Sequence, residues 1–232
     1  MPNLFPIGAE SLTPSVQDYA KAVYVLQSRS GTAVSTNTLA ERLDITPGSA
    51  SSMVRKLAEQ GLVEHERYHG VRLTETGRRV ALQVIRRHRL IELFLADALG
   101  MPWDRVHAEA EVLEHVLSEE LEELIAAHLG HPDLDPHGDP IPTADFEIEE
   151  QATWGLDKLA IGARGRFVRV SDSDPAKLRY LAEHAIKIGD SLEVVGHQPF
   201  GGPMFVRFGD TEHAIGGELA AAMWVHLAQD AE

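Results

Sequence analysis

The 232-residue chain contains no cysteine. Disulfides, thiolate metal ligands and thiol redox sensing are therefore excluded, and any metal site has to use His, Asp, Glu, Met or backbone oxygen. No run approaches eighteen apolar residues, so no membrane span is expected. The opening stretch MPNLFPIGAESLTPSVQDY lacks a basic region followed by an apolar core, and predicts no secretory leader. Together these absences describe a soluble, cytoplasmic protein with no membrane partner. Positive charge is also scarce, since the formal net charge is −15. That total argues against nucleic acid until it is divided along the chain. Residues 1–79 carry +1, residues 80–145 carry −10 and residues 146–232 carry −6. The acid is concentrated in the middle, and the first segment is free to meet a polyanion.

What is present falls into three segments, expected as domains over 1–76, 77–145 and 146–232. In the first, SVQDYAKAVYVLQSR (15–29) has helical apolar spacing, STNTLAERLD (35–44) opens on a Ser/Thr cap, and ITPGSASSMVRKLAEQG (45–61) places Thr46 before Pro47 and closes on Gly61. LVEHERYHGVRLTETG then alternates as two short strands around Tyr68-His69-Gly70. Helix, helix, turn, helix and hairpin in this order is the winged helix-turn-helix plan. Its second helix enters the major groove of double-stranded DNA. The candidate base-reading residues are Thr46, Pro47, Gly48, Ser49, Ser51 and Ser52, small and polar enough for close approach. Arg55 and Lys56, with Arg67, His69 and Arg72 of the wing, suit phosphate contacts that fix register.

The middle segment predicts a long helix over 74–98, a second over MPWDRVHAEAEVLEHVL (101–117) and a third after Ser118. His88 and Glu92 are spaced i,i+4 on the first, while His107, Glu111, Glu114 and His115 recur along the second. Asp18 joins them if its helix packs alongside. Acids stacked on one helix face repel unless solvent or a cation screens them. A single His/Glu pair of this kind is most often a surface ion pair, but two on consecutive helices favour a metal site. Imidazole and carboxylate without sulfur suit Mn²⁺ or Fe²⁺, with Zn²⁺ and Co²⁺ chemically possible. HPDLDPHGDPIPTADF (131–146) is rich in Pro, Gly and Asp and reads as a domain boundary. Beyond it, short strand candidates and one helix, PAKLRYLAEHA, suit a small, partly open β-barrel. The fold class is thus mainly α with small β parts.

Over about residues 12–142 the sequence resembles the DtxR/MntR family of metal-dependent repressors. The blocks RRHRLIELFL, MPWDRVHAEAEVLEHVLSEELE and HPDLDPHGDPIP carry the likeness. The resemblance implies a winged-helix DNA-binding domain, a helical dimerisation domain and a C-terminal FeoA-like barrel. It also implies a homodimer that binds a near-palindromic operator and represses metal-uptake genes, and no catalytic activity. Its primary metal site falls on Asp18, Glu111, Glu114 and His115. Its ancillary site falls on His88, Glu92 and His107, completed from the barrel. Iron-type relatives carry cysteine and methionine where Glu111 and Asp18 stand here; oxygen donors at both points favour Mn²⁺ over Fe²⁺. Two departures stand out. Two-ion members carry an acid where this chain has Lys21, whose ammonium competes with a cation. Ser171 stands where the barrel supplies a glutamate, leaving Asp172 or Asp174 as substitutes. Two other readings remain at this level: a metalloenzyme using the same cluster, and a winged-helix regulator of an organic effector.

Overall fold

The computed structural model describes residues 12–66, 70–149 and 152–228, which divide into two compact units. The first comprises the N-terminal segment through Ile91 with 110–131 and 141–148; the second comprises 92–109, 132–140 and the C-terminal segment from Glu149. Among the described residues, no helix is long and apolar enough to cross a membrane.

In the first unit, helix α1 (Pro14–Ser30) starts on a proline, whose missing N–H costs nothing at that position, and stops at Gly31 in the left-handed conformation. Val16, Tyr19, Ala20 and Val23 recur at spacings of three and one and face inward. Helix α2 (Thr36–Arg42) is capped by Ser35, which accepts from the Thr38 amide at 3.0 Å. Helix α3 (Pro47–Glu59) is capped by Thr46, which accepts from the Ser49 amide at 3.2 Å. Val16 and Val23, Leu39, and Val54 and Leu57 share one core, so the three helices move together. Strands β1 (Val63–Glu66) and β2 (Gly70–Leu73) form the antiparallel wing, and Val34 bridges to Val71. The wing residues Arg67 and His69 lie outside the described residues.

Helix α4 (Glu75–Asp97) buries charge as well as apolar surface. Arg86 and Arg87 each donate from Nε to one oxygen of Glu122 at 2.9 Å, and Arg86 also donates to the Pro142 carbonyl at 2.7 Å. Glu122 lies on helix α6 (Glu119–His128), capped by Ser118. The helix expected over 101–117 is shorter: α5 spans Val106–Leu113. A turn bonded from the Arg105 amide to the Pro102 carbonyl precedes it, and residues 114–116 leave it as turn, although the Glu114 amide still reaches the Ala110 carbonyl.

The second unit is built on an open six-stranded antiparallel sheet, in the order β3-β8-β4-β5-β6-β7. Its strands are β3 (Trp154–Gly155), β4 (Arg164–Val170), β5 (Ser191–His197), β6 (Met204–Phe208), β7 (Thr211–Ile215) and β8 (Met223–Leu227). Helix α7 (Pro175–Glu183) and the short α8 (Gly217–Ala220) complete it. Leu178 and Leu181 of α7 pack on Phe167, Val170, Val194, Val206 and Val225. Two outlying segments dock on this body. The Trp103 indole donates to the Leu178 carbonyl at 3.2 Å, and the Val170 amide donates to the His137 carbonyl at 2.9 Å. Gly138 has φ 82°, and a Cβ there would overlap the Val168 carbonyl, so only glycine lets this loop lie against β4.

Two buried guanidiniums share the carboxylate of Glu122. Glu122→Ala removes the anion and keeps both cations, and is expected to lower stability by about 3–5 kcal/mol. Glu122→Gln, which keeps one acceptor, costs less. Urea unfolding at neutral pH measures both.

Candidate metal centre

The first unit gathers Asp18, Lys21, His88, Glu111, Glu114 and His115 at one point. Asp18 and Lys21 project from α1, His88 from α4, and the others from α5 and the turn after it. Glu114 sits at the middle with its side chain fully buried. Two triads share it: Asp18, Glu114 and His115, and His88, Glu111 and Glu114, each with donor atoms within 4.8 Å of one another.

In the first triad, His115 Nε2 lies 3.0 Å from Asp18 Oδ1 and 3.6 Å from Glu114 Oε1. Its other nitrogen, Nδ1, donates to Gln17 Oε1 at 2.8 Å, and Gln17 is itself anchored through Nε2 to the Leu12 carbonyl at 3.2 Å. Gln17 thereby fixes the ring and leaves Nε2 facing the two carboxylates, the arrangement that metal-ligating histidines adopt. Burial raises the Asp18 carboxyl above its ordinary value; His115 lowers it, but Glu114 and Glu111 add to the rise.

In the second triad, the Lys21 ammonium stands 2.8 Å from Glu111 Oε1, 2.8 and 3.0 Å from the two oxygens of Glu114, and 3.1 Å from His88 Nδ1. His88 Nδ1 also approaches Glu114 Oε2 at 2.5 Å. Burial alone would lower the Lys21 pKa, yet Glu114 and Glu111 outweigh it and raise it, keeping the side chain cationic.

A second cluster lies in the other unit. His107 Nδ1 of α5 contacts Asp172 Oδ2 at 2.8 Å and Glu92 Oε1 at 3.1 Å. Glu92 also groups with Asp135 and His137, all three buried, with donor atoms within 4.8 Å. His137 Nε2 donates to the Trp103 carbonyl at 2.8 Å, which aims Nδ1 toward Glu92 Oε2, 3.7 Å away and beyond hydrogen-bonding range. Hydrogen bonds donated to Asp172 and then to Glu92 raise His107 to about 10. Burial would lower His137, but Glu92 and Asp135 hold it at about 9. Burial would raise Asp172, but His107 pulls it below the ordinary carboxylate value. Both clusters offer only oxygen and imidazole nitrogen, and His115 and His137 each present the nitrogen that a metal needs. The donor sets fit a divalent cation.

The expected ligands are therefore distributed between two places. Asp18, Glu114 and His115 come together as one triad; Glu111 is in the same cluster, held by Lys21, and His88 is there through Glu114. Glu92, His107 and Asp172 meet in the second unit. Asp174, the other expected substitute, is not there. Its carboxylate caps α7, accepting from the Ala176 amide at 2.9 Å, because it directly precedes Pro175. Gln17, Asp135 and His137 escaped the reading of the sequence. On α3, Thr46, Pro47, Gly48, Ser49, Ser52, Arg55 and Lys56 are exposed, as is Arg72 on the wing, and Ser51 is half-buried.

Comparison with known proteins agrees with this architecture. Residues 11–71 match the model of the iron dependent repressor N-terminal DNA binding domain, 74–143 that of its metal binding and dimerisation domain, and 155–227 the FeoA domain. The iron-dependent repressor IdeR of Mycobacterium bovis is 37% identical over 131 residues, 56% of this chain; that match spans 56% of the relative's own length. IdeR of Mycobacterium leprae is 36% identical over 187 residues, 79% of this chain and 77% of the relative. A solved manganese-dependent transcriptional repressor in complex with manganese is 44% identical, covers 92% of this chain and all of its own, and superposes with a TM-score of 0.86.

The raised His107 pKa gives the ion-free protein a defined pH dependence. Its ordinary value is 6.5 and its folded value about 10, so the ion pair's contribution to stability is full below about pH 6.5 and is lost as pH rises through about 10. Urea unfolding of chelated protein between pH 6 and 10 is expected to show the gap between wild type and His107→Gln shrinking across that range. A gap that stays constant contradicts the assignment.

Proposed function

The chain belongs to the DtxR/MntR family of metal-dependent transcriptional repressors, and from that premise we propose that it is a homodimeric repressor whose DNA binding is switched on by a divalent ion. The preferred ion is Mn²⁺, with Fe²⁺ the alternative. The observation that carries the reading is the triad of Asp18, Glu114 and His115, which joins α1 to the end of α5 around a buried carboxylate.

A bound divalent ion supplies concentrated positive charge and a fixed ligand geometry at that point. The residues of this chain do the rest. Asp18 commits α1, Glu114 and His115 commit the end of α5, and Gln17 holds His115 in the ligating tautomer. Because α1 shares its core with α2 and α3, restraining α1 restrains the DNA-reading helix. Ligand sharing of this kind selects one conformer from an ensemble, in proportion to its differential affinity. The exposed small residues of α3 read base edges, and Arg55, Lys56 and Arg72 meet phosphates.

Dimer formation is supported by an uncovered apolar face around α5 and α6, where Val112, Val116 and Leu124 are 68%, 77% and 60% exposed. A twofold dimer presents two reading heads and so calls for a near-palindromic operator. The Mn²⁺ preference is supported by the hard oxygen donors of Asp18 and Glu111; Zn²⁺ and Co²⁺ bind the same donors in vitro by the ordinary affinity order. In the second unit, Glu92, His107 and Asp172, joined by Asp135 and His137, provide a further ion position. An ion-activated repressor closes a feedback loop when it silences uptake of that ion, and we assign metal-uptake genes as its targets.

A gel-shift titration of chelated protein with Mn²⁺ tests the reading. Wild-type protein is expected to gain operator affinity with added ion, and Asp18→Ala to lose at least about tenfold of that gain. Equal DNA affinity with and without ion, or an undiminished response in Asp18→Ala, overturns it.

A further inference from the structure

The centre of the first unit has two adjoining triads that could hold a cation, and the protein's own ammonium lies in one of them. The triads Asp18–Glu114–His115 and His88–Glu111–Glu114 have Glu114 in common, and the Lys21 ammonium lies within the second. Its three N–H groups meet three partners, Glu111, Glu114 and His88, at 2.8 to 3.1 Å. The lysine comes from α1, so this ammonium already ties α1 to α4 and α5.

Charge balance sharpens the point. Asp18, Glu111 and Glu114 bring three negative charges to the centre. One divalent ion and one ammonium neutralise them. Two divalent ions beside the same ammonium would leave a net double positive charge next to a fully buried carboxylate, and unpaired charge at such a place is strongly unfavourable.

We infer that Lys21 is a built-in second cation, which fills the His88–Glu111–Glu114 position and restricts this centre to a single divalent ion at Asp18, Glu114 and His115. The inference rests on the metal-dependent reading above. It assigns Lys21 a positioning role: its ammonium pulls Glu111 and one face of Glu114 toward itself and leaves the other face of Glu114 to the ion. The count of ions at the centre is thus set by one residue of α1.

The test uses the full-length protein, loaded with excess Mn²⁺ and freed of unbound ion. Native mass spectrometry counts ions per chain, and electron paramagnetic resonance detects exchange-coupled pairs, which form when a carboxylate bridges two ions roughly 3.5–4 Å apart. Wild type and Lys21→Arg are expected to show no coupled pair. Lys21→Glu, which adds an acid and removes the ammonium, is expected to gain one ion per chain and to display the coupled signal. If circular dichroism shows Lys21→Glu to be unfolded, Lys21→Gln serves instead, with the same gain expected at higher Mn²⁺. A coupled pair in wild type overturns the inference, as does an unchanged ion count without coupling in the folded variants. Wild-type protein that retains no Mn²⁺ at all removes the metal-dependent reading itself, which separates that failure from the other two.

Discussion

A carboxylate with no access to water has to be matched by positive charge, and Glu114 is such a group. The Lys21 ammonium supplies that charge at 2.8 Å, and the His88 and His115 rings flank the same carboxylate. Each comes from a different part of the first unit, so balancing this one charge draws α1, α4 and the end of α5 together. Coulombic attraction is strong there because the surroundings are poorly polarisable, and an incomplete balance is correspondingly costly. The site is therefore a sensitive place for an external cation to act. A cation bound there would change the energy of a contact that α1 already makes, and α1 shares its core with the rest of the helix-turn-helix.

The second unit solves the same problem by different means. Glu92 and Asp172 are balanced by His107, and the His137 ring is turned toward Glu92 by the Trp103 carbonyl. His137 reaches this position because Gly138 lets its loop lie against β4. Imidazolium is a reversible counter-ion here: it stabilises the acids when no metal is bound and can surrender its proton when one binds.

Much of this was legible in the sequence. The caps Ser35, Thr46 and Ser118 and the proline opening Pro47 mark helix starts that the structure uses. Asp18, Glu114 and His115 were recognisable as candidate ligands by residue type, spacing and family likeness, and the structure brings the three together. Other features were not, for physical reasons. The stretch 132–140 has the composition of a linker, yet Asp135 and His137 are buried in it, because tertiary docking on β4 overrides local polarity. Gln17 has no chemical signature of its own; its role exists only through the ring it orients. Asp174 could have been set aside from Asp172, since an aspartate immediately before proline is a helix-start signal. Lys21 was visible as a competitor of a cation, but only the distances show it standing within the second triad.

The most direct measurement is anomalous diffraction at the manganese absorption edge from crystals grown with Mn²⁺. The account predicts a peak within coordination distance of Asp18, Glu114 and His115, with the Lys21 ammonium still hydrogen-bonded to Glu111 and Glu114. A first-unit peak bounded by His88 and Glu111 with Lys21 expelled, or no peak at Glu114 in protein that binds its operator, would contradict it.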